Sequence, residues 1–323
     1  MPSYGVIFHP AFPPDTLIDF ARRAEAGGFD ELWLWEDSFW AGAFTSAAIV
    51  LASTNRIRVG IGIMPATVRN PLFTAMEITT LAALYPGRFL PGFGHGVEGW
   101  MKQIGAAPKS SLKALEETIR AVRGLLNGET VTLHGDHVHL EEVKMRLVAP
   151  EVPPLYVGAM REKTFQLAGR AADGTILTEM ASPAYVHWAK PHIEAGMAEG
   201  DRRANNVTVY VHAKVNPDGA TAREIIRPVL ASRFSWAVPH LQALGILDEA
   251  KRVYETLGVE EAARRMPDQW IDDMAAAGTP EQAAESIHRL AAAGADTVVL
   301  QPLDGDLACL DEYIRYLMPL LRH

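Results

Sequence analysis

Cysteine is almost missing from this chain. Cys309 is its single example in 323 residues, which excludes an intrachain disulfide and any metal site built from a cysteine cluster. Long apolar runs are missing too: nothing approaches the ~18 consecutive apolar residues that a membrane-spanning helix needs. Positive charge is in deficit, with 30 Lys and Arg against 39 Asp and Glu, a net charge of −9 and a pI near 5.7. That balance argues against a nucleic-acid partner or an anionic membrane surface. The opening MPSYGVIFHP has neither a basic segment nor a signal-like apolar run, so a soluble cytoplasmic protein is expected. Two signatures of hydrolytic chemistry are also lacking, the G-x-S-x-G nucleophile elbow and the H-E-x-x-H zinc helix.

What is present is apolar bulk, 48% hydrophobic against 21% charged residues, enough to bury a large core. At ~150 residues per domain the length suggests two, yet (β/α) barrels of this size fold as one. A single domain over 1–323 is expected. Short β-branched and aromatic runs alternate with amphipathic helices. Strands are read at 4–9, 31–37, 57–64, 88–96, 154–159, 174–179, 207–215 and 296–303. Helices are read near 15–26, 43–53, 72–84 and 280–293, the last starting at Thr279-Pro280-Glu281, with Thr279 as N-cap. A long helix carries Leu112, Leu115, Ile119, Val122 and Leu126 at the spacing of one buried face. Repeated strand–helix alternation implies parallel strands with right-handed crossovers, and eight of them point to a closed (β/α)8 TIM barrel. Two segments fall outside the alternation: a β-hairpin within 128–150, turning at Gly135-Asp136 after the fourth helix, and extra helices over 219–275, between the seventh and eighth strands.

In such a barrel the active site lies where the strands end and feed the following loops. Those ends present His9; Glu36, Asp37 and Ser38; Gly62, Ile63 and Met64; Gly94, His95 and Gly96; Gly158, Ala159, Met160 and Arg161; Glu179; and His212. In RFLPGFGHG the glycines either let backbone approach a phosphate or flat ring, or simply permit tight packing. The G-x-G-x-G spacing, on the fourth strand, does not match a dinucleotide fingerprint. Asp37, among Trp33, Trp35, Phe39 and Trp40, either hydrogen-bonds the edge of a heteroaromatic ring or caps the next helix. His134, His137 and His139 sit in HGDHVH, but they read as surface residues of the hairpin, and no metal site is expected. Cys309 reads as a small buried apolar residue. With no nucleophile and no metal, reactivity has to come from an organic cofactor.

Read together, AEAGGFDELWLWED, NRIRVGIGIMPATVRNP, TLAALYPGRFLPGFGHG, VPPLYVGAMREKTFQLAGRAADGTILTE and GTPEQAAESIHRLAAAGADTVVLQPL resemble the bacterial luciferase-like family of flavin- and deazaflavin-dependent oxidoreductases, in its methylenetetrahydromethanopterin-reductase-like branch. The resemblance covers nearly the whole chain. It implies a (β/α)8 barrel with insertions, a homodimer formed through helices on one side, and a cofactor in the barrel mouth. By position it makes Asp37 the acid that contacts the deazaflavin ring. Ser38 stands where several members carry a catalytic histidine. Gly62-Ile63, with Met64, matches a third-strand bulge that holds a non-prolyl cis peptide. Gly94, His95 and Gly96 match the loop beside the ribityl chain and phosphate, and Gly158, Ala159, Met160 and Arg161 the loop whose amides receive the phosphate. Arg161 and Lys163 either add charge for an acidic tail or are exposed helix-start cations. His95 either hydrogen-bonds the cofactor's side chain or fills the turn.

The implied function is hydride exchange between coenzyme F420 and a small organic substrate. Asp37, Ser38 and Glu179 form the catalytic set, and His9, Trp40 and Glu179 the substrate side. Glu179 in an apolar mouth is expected to have a raised pKa and to act as acid or base. Two alternatives stand: an FMN-dependent monooxygenase using reduced flavin and oxygen, and a non-catalytic flavin-binding protein.

Overall fold

Val, Ile and aromatic residues dominate the eight expected strand segments, and each becomes a strand because such side chains fit a pleated surface buried on both faces. The structure, a computed structural model, describes residues 2–322. Its strands are β1 (Ser3–Ile7), β2 (Glu31–Leu34), β3 (Arg58–Pro65), β4 (Phe89–Gly94), β5 (Val131–His134), β6 (His139–Val143), β7 (Tyr156–Ala159), β8 (Gly174–Leu177), β9 (Asn206–Val215), β10 (Ala275–Gly278) and β11 (Thr297–Gln301). The order β1-β2-β3-β4-β7-β8-β9-β11 returns to β1 through the parallel β11–β1 ladder, so the sheet closes on itself. The expected parallel barrel is the fold. Several strands end two or more residues earlier than the sequence suggests, leaving His9, Asp37 and Glu179 in the loops beyond.

One strand was not anticipated. Residues 275–278, AAAG, form β10, with only Ala275 inside the segment expected to be helical. His212 is registered with Gln301 on one edge of β9 and with Ala275 on the other. β10 therefore continues the edge that β8 leaves at Leu177↔Val209. The insertion supplies helices Gly219–Arg233, Val238–Ala243, Leu247–Arg265 and Asp268–Met274. Ile226, Leu230 and Ile271 from these helices pack with Met180, Ala275 and Leu303 of the barrel in a separate apolar cluster.

The barrel interior is filled by pairing large rings with glycines. Trp33 lies edge-on to Tyr156 and Tyr210, with centroids at 5.6 and 5.8 Å. A Cβ at Gly60 would lie 2.2 Å from the Trp33 ring, and one at Gly174 2.2 Å from Tyr156. Such neighbours leave no room for a side chain at either glycine. Outside the ring, helix Ser111–Leu126 buries Leu115, Ile119, Val122 and Leu126, and Ser110 accepts from the Lys113 amide. Helix Pro280–Ala292 opens with the expected Thr279 cap, closed as a capping box by Gln282. The hairpin also forms, with exposed His134 and His139 opposite one another. Among the described residues, no group of three or more His, Cys, Asp or Glu is arranged to hold a metal ion, and no helix is long and apolar enough to cross a membrane.

Candidate active site

Strand ends converge on a cavity of about 360 Å³, within the range of sites that take a small organic molecule. Asp37 and Ser38 enter it from beyond β2, Gly62 and Ile63 from β3, and Gly94, His95 and Gly96 from β4. Gly158, Ala159 and Met160 enter from β7, and Glu179 from beyond β8. Trp35, Trp100, Trp236, Ile176 and Tyr210 make most of the remaining wall apolar.

Two carboxylates on this wall are driven apart. Burial raises the Asp37 pKa, the nearby Glu179 charge raises it further, and it reaches about 6. Asp37 caps no helix: helix Ala43–Ser53 has Gly42 at its N-cap, and the Ala43 amide is met by Glu36 Oε1. Burial alone would raise Glu179 as well, but His212 Nε2 at 2.7 Å, Arg233 Nε at 3.0 Å and a hydrogen bond from the Gln301 amide outweigh it. They hold Glu179 at about 2. The expectation of a raised Glu179 is thus corrected: Glu179 is a fixed anion, and the carboxyl poised near neutrality is Asp37. Pairs separated in this way by their surroundings mark acid–base sites.

The glycines answer to a neighbour inside the protein. The Gly62–Ile63 peptide is cis, and the β3–β4 register shifts between Ile61 and Met64. A Cβ at Gly94 or Gly158 would lie 2.6 Å from the Ile63 side chain. Both glycines therefore seat Ile63 between them at the cavity wall. Gly96 has φ +70°, a conformation that favours glycine. His95 Nε2 meets Thr164 Oγ1 at 3.1 Å, and burial lowers the ring's pKa. Trp35 Nε1 and Tyr210 Oη, buried on wall residues, have no hydrogen-bond partner among the described residues. An apolar slot with unpaired donors and one titrating carboxyl fits a flat heteroaromatic ring with polar edges.

Four expected residues lie off the wall. His9 is buried behind Trp35, its Nε2 3.0 Å from Asp304, and burial lowers its pKa. Trp40 is 54% exposed beyond the rim. Met64 is buried in the core. Arg161 is exposed at the N-cap of helix Glu162–Ala171. Gln301, Tyr210 and Trp236 were not anticipated on the wall. Gln301 had a signal, a polar residue closing VVLQ, which an earlier end to the last strand would have exposed. Tyr210 lies mid-strand, and nothing in its neighbourhood marks it out.

The luciferase-like monooxygenase family model matches residues 2–297. The 5,10-methylenetetrahydromethanopterin reductase of Archaeoglobus fulgidus is 28% identical over 308 residues, 92% of each chain. An F420-dependent glucose-6-phosphate dehydrogenase of Nakamurella multipartita is 30% identical over 278 residues, covering 80% of this chain and 79% of that one. The solved coenzyme F420 dependent tetrahydromethanopterin reductase from Methanopyrus kandleri superposes with a TM-score of 0.84 at 23% identity, over 98% of this chain and 99% of that chain. By its sequence and its closed barrel alike, the chain belongs to the luciferase-like monooxygenase family.

Proposed function

We propose that this protein is an oxidoreductase that uses coenzyme F420 to exchange a hydride with a small organic substrate at the C-terminal mouth of the barrel. The observation that carries the reading is convergence. Asp37, Gly62-Ile63, Gly94–Gly96 and Gly158–Met160 leave four separate strands and meet on one apolar cavity, in a chain aligned over most of its length with relatives named for F420. When bound, F420 supplies hydride acceptance or donation. The protein's own groups position and handle protons. Ile63, wedged between Gly94 and Gly158, forms one wall. Trp35 and Tyr210 offer donors to ring edges. Asp37 gives or takes a proton at a carboxyl oxygen, a role left open by Ser38. Arg161 and Lys163, exposed just beyond Met160, would supply positive charge for the cofactor's acidic tail.

Titrating the ligand-free protein separately with F420 and FMN, by chromophore fluorescence and thermal shift, tests this. Saturable F420 binding, with FMN at least ~10-fold weaker, is expected. Tight FMN binding without F420 binding would reassign the site to the flavin monooxygenase alternative. Substrate-dependent bleaching of the bound chromophore separates an enzyme from a storage protein.

A homodimer is part of the same reading. The outer face of helix Pro71–Leu84 carries Glu77 and Thr80 but also leaves Phe73 62%, Met76 45% and Leu84 65% exposed. This stripe suits a self-complementary interface.

A further inference from the structure

The substrate's charge class is legible in what the cavity wall lacks. Its ionisable side chains are Glu36, Asp37, Glu179, His95 and the Tyr210 phenol, and no Lys or Arg stands among the described residues that line it. Arg161 and Lys163 lie beyond Met160, on the side proposed for the cofactor's acidic tail, and three further cations near the wall are already engaged. Arg69 grips Glu36 through both terminal nitrogens, and Arg233 lies against Glu179 at 3.0 Å. Lys214, further along β9, is held at 2.8 and 2.9 Å by Asp306 and Glu312. Burial disfavours the charged form of His95. An anionic substrate on the Asp37 side of this wall, away from the loop proposed for the cofactor's phosphate, would lose its hydration, meet the unneutralised Asp37 carboxyl and find no free counter-charge.

Neutral polar contacts are scarce too. Ser38, Thr178 and Gln301 are the uncharged side chains on the wall with hydroxyl or amide groups other than Tyr210, and the Gln301 amide already donates to Glu179. A polyhydroxylated sugar would leave most of its hydroxyls unpaired. Apolar surface, by contrast, extends past the wall to the rim. Phe39, Trp40 and Val97 are 69%, 54% and 47% exposed, and Phe39 meets Trp100 edge-on at 6.1 Å. Exposed rings gathered at a concave opening mark a ligand site.

We infer that this cavity takes an uncharged, predominantly apolar cyclic or aromatic alcohol or ketone, and rejects anionic substrates such as sugar phosphates. The inference rests on the proposed reading of the cavity as the substrate site. Kinship with dehydrogenases named for glucose-6-phosphate does not, on this wall, carry that substrate over.

Calorimetric titration of matched probes tests it, in the protein loaded with F420 and in the unloaded protein. The probes are a panel of neutral cyclic alcohols and ketones, cyclohexyl phosphate and glucose-6-phosphate. At least one neutral probe should bind ~10-fold or more tightly than either phosphate, and Asp37→Asn should narrow that gap. A phosphate that binds as well as every neutral probe, or a panel with no neutral binder, overturns the inference. A protein that binds F420 yet prefers phosphate refutes only the substrate class. One that prefers neutral probes but ignores F420 refutes only the cofactor reading.

Discussion

Asp37 and Glu179 share a cavity wall, yet one titrates near neutrality and the other stays charged in all but strong acid. The difference lies in their partners. Glu179 has three, and Asp37 has none that neutralises it. A protonated Asp37 is the competent form for donating a proton, so carbonyl reduction should slow as pH rises through about 6. The reverse oxidation, which needs the carboxylate, should speed up over the same interval. Glu179→Gln removes the charge that helps keep Asp37 protonated and frees His212 and Arg233, so the inflection should move to lower pH. Asp37→Asn should abolish it and slow turnover by ~10²–10⁴-fold. Profiles of kcat against pH for the three proteins check this. An unshifted inflection in Glu179→Gln would show that Asp37 does not sense its neighbour. At Gly60 the issue is space. A methyl placed 2.2 Å from Trp33 should cost about 1–3 kcal/mol, read as a lower denaturant midpoint for Gly60→Ala.

Elements were more legible than side-chain directions. β-Branched runs such as TVVLQ and VTVYVHAKV announce their strands, and the Leu115–Ile119–Val122–Leu126 spacing announces its helix. β10 escaped because alanines and a glycine carry no strand preference; pairing with the overhanging half of β9 makes AAAG extended. The charge of Glu179 is not legible locally, because it is set first by His212 on the next barrel strand and then by Arg233 and Gln301, 54 and 122 residues away on an inserted helix and the last strand. Helix Pro71–Leu84 poses the opposite case, an element whose sequence has more apolar surface than its own fold buries. If that stripe joins two copies, a Phe73→Glu/Met76→Glu double variant should halve the mass seen by sedimentation while leaving the far-ultraviolet spectrum unchanged. A wild-type chain that sediments as a monomer would defeat the dimer.

At the scale of the whole molecule, carboxylates tie segments that are remote in sequence. Glu25 accepts from the amides of Asn55, Arg56 and Ile57. Glu117, buried on its helix, accepts from Asp136, His137 and Val138 and so pins the hairpin turn. Burial opposes ionisation at both, but the amides outweigh it and hold both below the ordinary glutamate range. Linkage then fixes the sign. A carboxyl whose pKa is depressed by folding contributes stability above its unfolded value, ~4.3, and loses that contribution as pH falls toward the folded value. Asp37, raised in the fold, acts in the opposite sense between its ordinary value and about 6. Three charge-assisted bonds use both oxygens of Glu117, whereas an amide offers one acceptor oxygen and a donor, so glutamine loses at least one bond and weakens the rest, which should cost about 1–3 kcal/mol near pH 7. Glu117→Gln should therefore be less stable than wild type at neutral pH, and the gap should close as pH drops below ~4, where wild type loses the same charge. Urea unfolding at several pH values reads both ends of that comparison. A gap that persists undiminished in acid would mean that Glu117 holds the turn by shape and not by charge.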